Sequence, residues 1–152
     1  MRLTTYTDYA LRVLMYLGLH GDGLVTIQEI SEQYAISKNH LMKVVHELAK
    51  RGHVETVRGK NGGLRLSRPA ACISVGEIVR TFEPDMALVE CFQSTDVRCR
   101  IVEGCVLRTV LEEALDRFVE TLDRYTLADL LAPAEQLANA FPAPLGLRHP
   151  PP

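Results

Sequence analysis

Cys91, Cys99 and Cys105 fall in the stretch ECFQSTDVRCRIVEGCVL, residues 90–107, with the spacing Cys-x7-Cys-x5-Cys. Thiolates are soft ligands for iron and zinc and are the reactive form of cysteine in redox chemistry. Three is an odd number for disulfides. Structural zinc sites use close Cys-x2–4-Cys pairs, and this stretch has none. Intervals of seven and five residues suit a loop draped over a larger inorganic core. Iron–sulfur clusters take thiolates, normally four for a 4Fe–4S cube, so three cysteines leave one iron needing another ligand. The spacing leaves three readings open: a cluster, a zinc ion, or no metal. Cys72, in PAACISVGE, stands apart from the trio. Its apolar neighbours predict a small core residue.

The compartment bears on the same choice. The first residues, MRLTTYTDYALRVLMYLGLHGDG, lack the basic start, apolar run and cleavage site of a secretory signal. Arg12 interrupts their most apolar part, and no apolar span reaches membrane length. A cytoplasmic protein is expected, in which thiols stay reduced and clustered cysteines favour metal or redox roles over cross-links.

The elements that must position these thiols are mostly helical. At 152 residues with 47% hydrophobic content, the chain can bury a core and carry an appendage. Tyr6, Ala10, Val13, Leu14 and Leu17 recur at helical spacing and predict a helix over 4–19. Thr26 and Glu29 form a Thr-x-x-Glu capping box that opens a second helix, with Ile27, Ile30 and Tyr34 on its apolar face. Ser37 is the N-cap expected for a third, KNHLMKVVHELAK, whose buried stripe is Leu41, Val44, Val45 and Leu48. Val54, Thr56, Leu64 and Leu66 alternate as strands do, around the hairpin turn GKNGG. Ser74 and Glu77 suggest another capping box and a short helix. From Cys105 to about Tyr125, the residues Leu107, Leu111, Ala114, Phe118, Leu122 and Tyr125 form a seam close to that of a coiled coil. TLADLL at 126–131 predicts a last short helix. The proline-rich end FPAPLGLRHPPP predicts disorder.

Helix, short turn, helix and glycine-turned hairpin is the order of a winged helix-turn-helix, whose second helix enters the major groove. The expected fold is therefore mainly α with a small β-wing: a winged head and a long dimerisation helix. Residues 1–80 form the DNA-binding domain, 81–106 the cysteine loop, 105–131 the dimerisation region and 132–152 a flexible tail. Charge agrees in sign, with net +4 over residues 1–70 and −6 over 71–152. Lys38, Asn39, His40 and Lys43 lie on the exposed side of the third helix, as do His46 and Lys50; Arg58, Lys60 and Arg65 flank the wing tip. Lysines there can neutralise phosphates, and Asn39 and His40 stand where side chains reach base edges. Each of these residues has a plainer role as part of a solvated face. The seam helix has two uses: packing on its own head, or forming a homodimer that would match a palindromic site. The chain shows no dinucleotide fingerprint, P-loop or nucleophile–base motif, and no enzyme is expected.

MRLTTYTDYALRVLMYLG, the wing VRGKNGGLRLSR, the helix ISVGEIVRTFE and the cysteine trio together resemble the Rrf-two family of iron–sulfur repressors over residues 1–130. Within it the chain looks most like the branch that senses nitric oxide. The resemblance implies a homodimer with one cluster per subunit, 4Fe–4S or else 2Fe–2S, held by Cys91, Cys99 and Cys105, and repression at double-stranded operator DNA. A related branch completes its site with a His three positions after the third cysteine; this chain has Arg108 there. In the nitric-oxide branch the remaining ligand can be an Asp from the first helix of the partner, and the matching residue is Asp8. Without the resemblance, Asp8 reads as a first-turn acid that favours the helix dipole and pairs with Arg12. With it, Arg12 becomes a group that holds Asp8 in place. Two rivals stay open: a regulator of the same fold reading oxidants or cluster supply, and a non-sensing DNA-binding protein whose cysteines bind zinc.

Overall fold

Thr4 opens helix α1 (Thr5–Leu19) by accepting the Thr7 N–H on its side chain. Thr26 opens α2 (Ile27–Tyr34) with the reciprocal Thr26–Glu29 box in place, and Ser37 opens α3 (Lys38–Lys50) by accepting from His40. The computed structural model describes residues 2–93 and 98–141. The three helices meet on the faces their spacing predicts. Val13, Leu14 and Leu17 of α1, Ile30 of α2, and Leu41, Val44 and Leu48 of α3 are fully buried and share one core.

The α2–α3 turn is three residues long, from Ala35 to the N-cap Ser37. Ala35 ends α2 in the left-handed region, at φ 53° and ψ 38°. Ser31 secures the turn by donating its hydroxyl to the Ile36 carbonyl at 2.7 Å. Strands β1 (Val54–Val57) and β2 (Gly63–Leu66) pair antiparallel, Val54 facing Leu66 and Thr56 facing Leu64. Val25 bridges Leu64 from the other side through bonds of 3.0 and 2.8 Å. Gly59, at φ 119°, turns the hairpin where an L side chain would be strained.

Helix α4 (Val75–Phe82) buries Ile78, Val79 and Phe82. Its capping box is only half formed. Ser74 accepts the Glu77 N–H at 3.4 Å, but the Glu77 carboxylate takes two bonds from Arg68, both 2.8 Å. A charged partner nearby outcompetes the local backbone N–H. Cys72, expected in the core, is exposed on a 3-10 turn, Ala70–Cys72.

Helix α5 (Val106–Asp123) begins at Cys105, its N-cap residue. The predicted seam divides. Leu111, Phe118 and Leu122 are half-buried, as is Leu115 beside them, while Leu107, Ala114 and Tyr125 are exposed. One stripe packs toward the head and a second stays open. Arg80 of α4 holds the far end of α5 through Asp123, with contacts of 2.8 and 2.7 Å. Helix α6 (Leu127–Leu130) returns to the head: Val75 donates to the Tyr125 carbonyl at 2.9 Å, Leu127 to the Ile73 carbonyl at 2.8 Å, and Leu127 is buried. Residues 134–139, expected in the flexible tail, form α7 (Ala134–Asn139) with Ala138 buried. Local helix propensity and an apolar anchor order this segment. The prolines beyond Phe141 lie outside the described residues.

Candidate functional site

Two candidate surfaces occur, one cationic and one thiol-bearing, with α1 between them. On the first, Lys38, Asn39, His40, Lys43, His46 and Lys50 are all exposed along α3. Arg58 and Lys60 are exposed at the wing and form no ion pair among the described residues. Arg65 differs: it is half-buried and bonded to Glu55 across the hairpin at 2.9 Å. Its charge is spent within the wing. α3 is fastened to α1 by the Tyr6 hydroxyl, which donates to the Lys43 carbonyl at 2.9 Å, and by the Tyr9 and His40 rings, 6.3 Å apart.

The wing is fixed at its base by a buried group that the sequence did not reveal. His53 is 2% exposed, and its Nδ1 lies 3.0 Å from the Arg68 guanidinium. Arg68 also holds Glu77, so one cation ties the end of the wing to the first turn of α4. Burial is the largest influence on His53 and lowers its pKa. Glu77 raises it, while Arg68 and Arg51 lower it.

On the thiol-bearing side, the loop after α4 makes a 3-10 turn at Glu90–Phe92 and another at Val102–Gly104. Glu90 accepts the Arg98 backbone N–H at 2.9 Å, which draws the neighbours of Cys91 and Cys99 together. Cys91 and Cys99 line one open cavity of about 530 Å³ with Gly104, the residue before Cys105, and Arg108. Arg108 is engaged by Glu112 at 2.9 Å. All four cysteines are free thiols. Among the described residues no three His, Cys, Asp or Glu side chains already form an ion site. The donor set fits an iron–sulfur cluster: three thiols on one segment, two in a shared cavity and the third at a helix start beside it.

Asp8 does not line that cavity. It lies on α1 and takes both bonds from Arg12 Nε, 3.1 and 3.0 Å, with its side chain 46% exposed. The Arg12 guanidinium lies over the Tyr34 ring, 5.7 Å from its centroid. Glu83 is the residue that sequence reasoning missed. Its carboxylate accepts the Thr4 backbone N–H at 2.8 Å and the hydroxyls of Thr4 and Thr7. Glu83 ends α4 and starts the cysteine loop, so this knot ties the loop to the turn of α1 that presents Asp8. The available signal was Thr7, a hydroxyl within the buried stripe of α1, which needs a partner. Nothing local named Glu83, 76 residues away.

The family model for Rrf2, described as "Iron-dependent Transcriptional regulator", matches residues 3–133. The HTH-type transcriptional regulator NsrR of Bacillus licheniformis is 48% identical over 132 residues, covering 86% of this chain and 92% of the relative. NsrR of Bacillus subtilis is 48% identical over 138 residues, or 90% and 94% of the two chains. The structure is similar to that of IscR from T. potens, with TM-score 0.72 and 30% identity over 90% of each chain. It also resembles CymR, the global cysteine regulator of B. subtilis, with TM-score 0.69 and 27% identity over 86% of this chain and 95% of that one.

Proposed function

Because this chain belongs to the Rrf2 family of transcriptional regulators, we propose that it is a repressor that reads nitric oxide through an iron–sulfur cluster and binds palindromic operator DNA as a homodimer. The carrying observation is the position of Cys105. It is both the third thiol and the N-cap of α5, a helix with an open apolar stripe. The thiols thus stand where head and expected dimer interface meet.

Cys91, Cys99 and Cys105 would hold one 4Fe–4S cluster per subunit, or a 2Fe–2S cluster, and Asp8 of the partner subunit would supply the remaining ligand. When bound, the cluster supplies iron that reacts with nitric oxide. A carboxylate is a harder ligand than a thiolate and suits soft iron sites less well, so Asp8 would be the weakest of the four ties to iron. Two contacts on α1 would relay the change. Asp8 sits on α1, Arg12 holds its carboxylate, and Tyr6 on the same helix grips α3 at Lys43. A shift of α1 therefore moves Lys38, Asn39, His40 and Lys43 against the groove, while Arg58 and Lys60 contact the backbone. Two half-sites must be matched at once, so a small rotation suffices to weaken binding. The two states differ in one named contact, as a switch requires.

Anaerobically purified protein should be brown, contain iron and sulfide, and retard operator DNA until nitric oxide is added. A colourless protein with the same affinity for the operator would overturn the sensor reading. The open thiol cavity also suits a regulator of the same fold that reads oxidants or cluster supply. Parallel titrations with nitric oxide, oxygen and peroxide separate the two, since only the first should act at stoichiometric amounts under the present reading.

A further inference from the structure

Behind Arg12 lies a stack of rings that reaches the last described residue. Phe141 meets Tyr34 edge-on, with ring centroids 5.1 Å apart at 82°, and meets Tyr16 at 5.3 Å and 85°. Tyr16 and Tyr34 close the triangle at 5.9 Å. Arg12 also meets this cluster: its guanidinium lies over the Tyr34 ring, 5.7 Å from the centre, and its Nε bonds Asp8. Phe141 follows directly on α7, which Ala138 anchors in the core. Leu131, just before α7, packs so closely on α1 that a Cβ on Gly18 would collide with its side chain.

We propose that Tyr34 is a positioning residue for Arg12 and, through it, for the Asp8 carboxylate, with Phe141 holding the Tyr34 ring in place. This rests on the proposed role of Asp8 as a cluster ligand. An exposed Asp–Arg pair four residues apart on a helix is held weakly and samples several geometries. A ring face adds a second, directional attraction for the guanidinium, and a guanidinium fixed on both sides presents Asp8 in one orientation. Aromatic edge-to-face packing is the geometry that keeps the Tyr34 face turned toward Arg12. The C-terminal segment thereby contributes to the head of its own subunit at the point where Asp8 would reach the cluster of the other.

The test uses the full chain in two forms. In metal-free protein, the Arg12 Nε–H resonance is followed by NMR in the wild type and in Tyr34→Ala, Tyr34→Phe and Phe141→Ala. Tyr34→Ala and Phe141→Ala should move it toward the position of a free arginine, and Tyr34→Phe, which keeps the ring, should leave it in place. In cluster-loaded protein, the first two should change the visible circular dichroism and speed cluster loss about two- to fivefold, on the scale of one exposed cation–ring contact. If Phe141→Ala does not fold, Phe141→Leu keeps apolar bulk and should show the same displacement. An unmoved Arg12 resonance in Tyr34→Ala overturns the proposal. So does a moved resonance with unchanged dichroism and loss rate. A wild-type chain that takes up no cluster overturns the cluster reading instead, and the resonance alone then decides whether Tyr34 positions Arg12.

Discussion

Under the proposed function Cys105 has two roles, and chemistry can separate them. As the residue that opens α5 it makes no side-chain cap bond, although its position is one where a serine oxygen would accept from the first turn and add about 1 kcal/mol. As a ligand its sulfur has no substitute, because a hydroxyl binds iron far less well than a thiolate does. Cys105→Ser should therefore leave the metal-free protein at least as stable in thermal unfolding, while iron content after anaerobic reconstitution falls sharply. Retained iron would remove Cys105 from the ligand set. The thiols were legible in the sequence because residue type and spacing are local properties. Glu83 was not, since its partners Thr4 and Thr7 lie at the opposite end of the head's sequence. Arg65 shows the reverse limit: its type marked it for DNA, yet Glu55 across the hairpin takes its charge.

At the level of elements, caps and periodicity placed α1, α2, α3 and both strands, because each obeys rules spanning a few residues. The half-formed cap at Ser74 was misread because Arg68 arrives from the wing, an approach that only the fold creates. That junction has a pH dependence. With its pKa lowered mainly by burial, His53 is neutral where Arg68 approaches Nδ1, and protonation would set two cations 3.0 Å apart. Arg51 adds to the repulsion and Glu77 offsets part of it. The unfolded chain binds the proton more readily, so this contribution is complete above the ordinary histidine pKa of about 6.5. It is lost as pH falls through that value toward the lowered one. Unfolding free energy of the wild type should drop more steeply below about pH 6.5 than that of His53→Gln, by at most about 1.4 kcal/mol per pH unit, the weight of one proton. Denaturant titrations at a series of pH values measure the difference, and parallel curves would show that His53 does not titrate with unfolding.

For the molecule as a whole, α5 carries the proposed dimer interface. Val106, Leu107 and Val110 are 75%, 63% and 54% exposed, and with Ala114 they form a stripe that the described residues leave uncovered. The sequence showed the apolar seam but not its division, because one period of residues serves two partners and only packing sorts them. Leu107→Glu with Val110→Glu should yield a monomer in analytical ultracentrifugation and cost most of the operator affinity, since one head grips one half-site. A dimer that survives both charges would place the interface elsewhere. The return of α6 has a further consequence, in the order of synthesis. The core between α1 and α4 is sealed by Leu127, whose backbone bonds Ile73, and by Leu131 against Gly18. A nascent chain that has emerged only through the wing lacks these seals. All three cluster cysteines precede Leu127, so the head closes only after every thiol has left the ribosome. Under the proposed function, a half-made chain would thus be kept from occupying an operator before it has the means to be released.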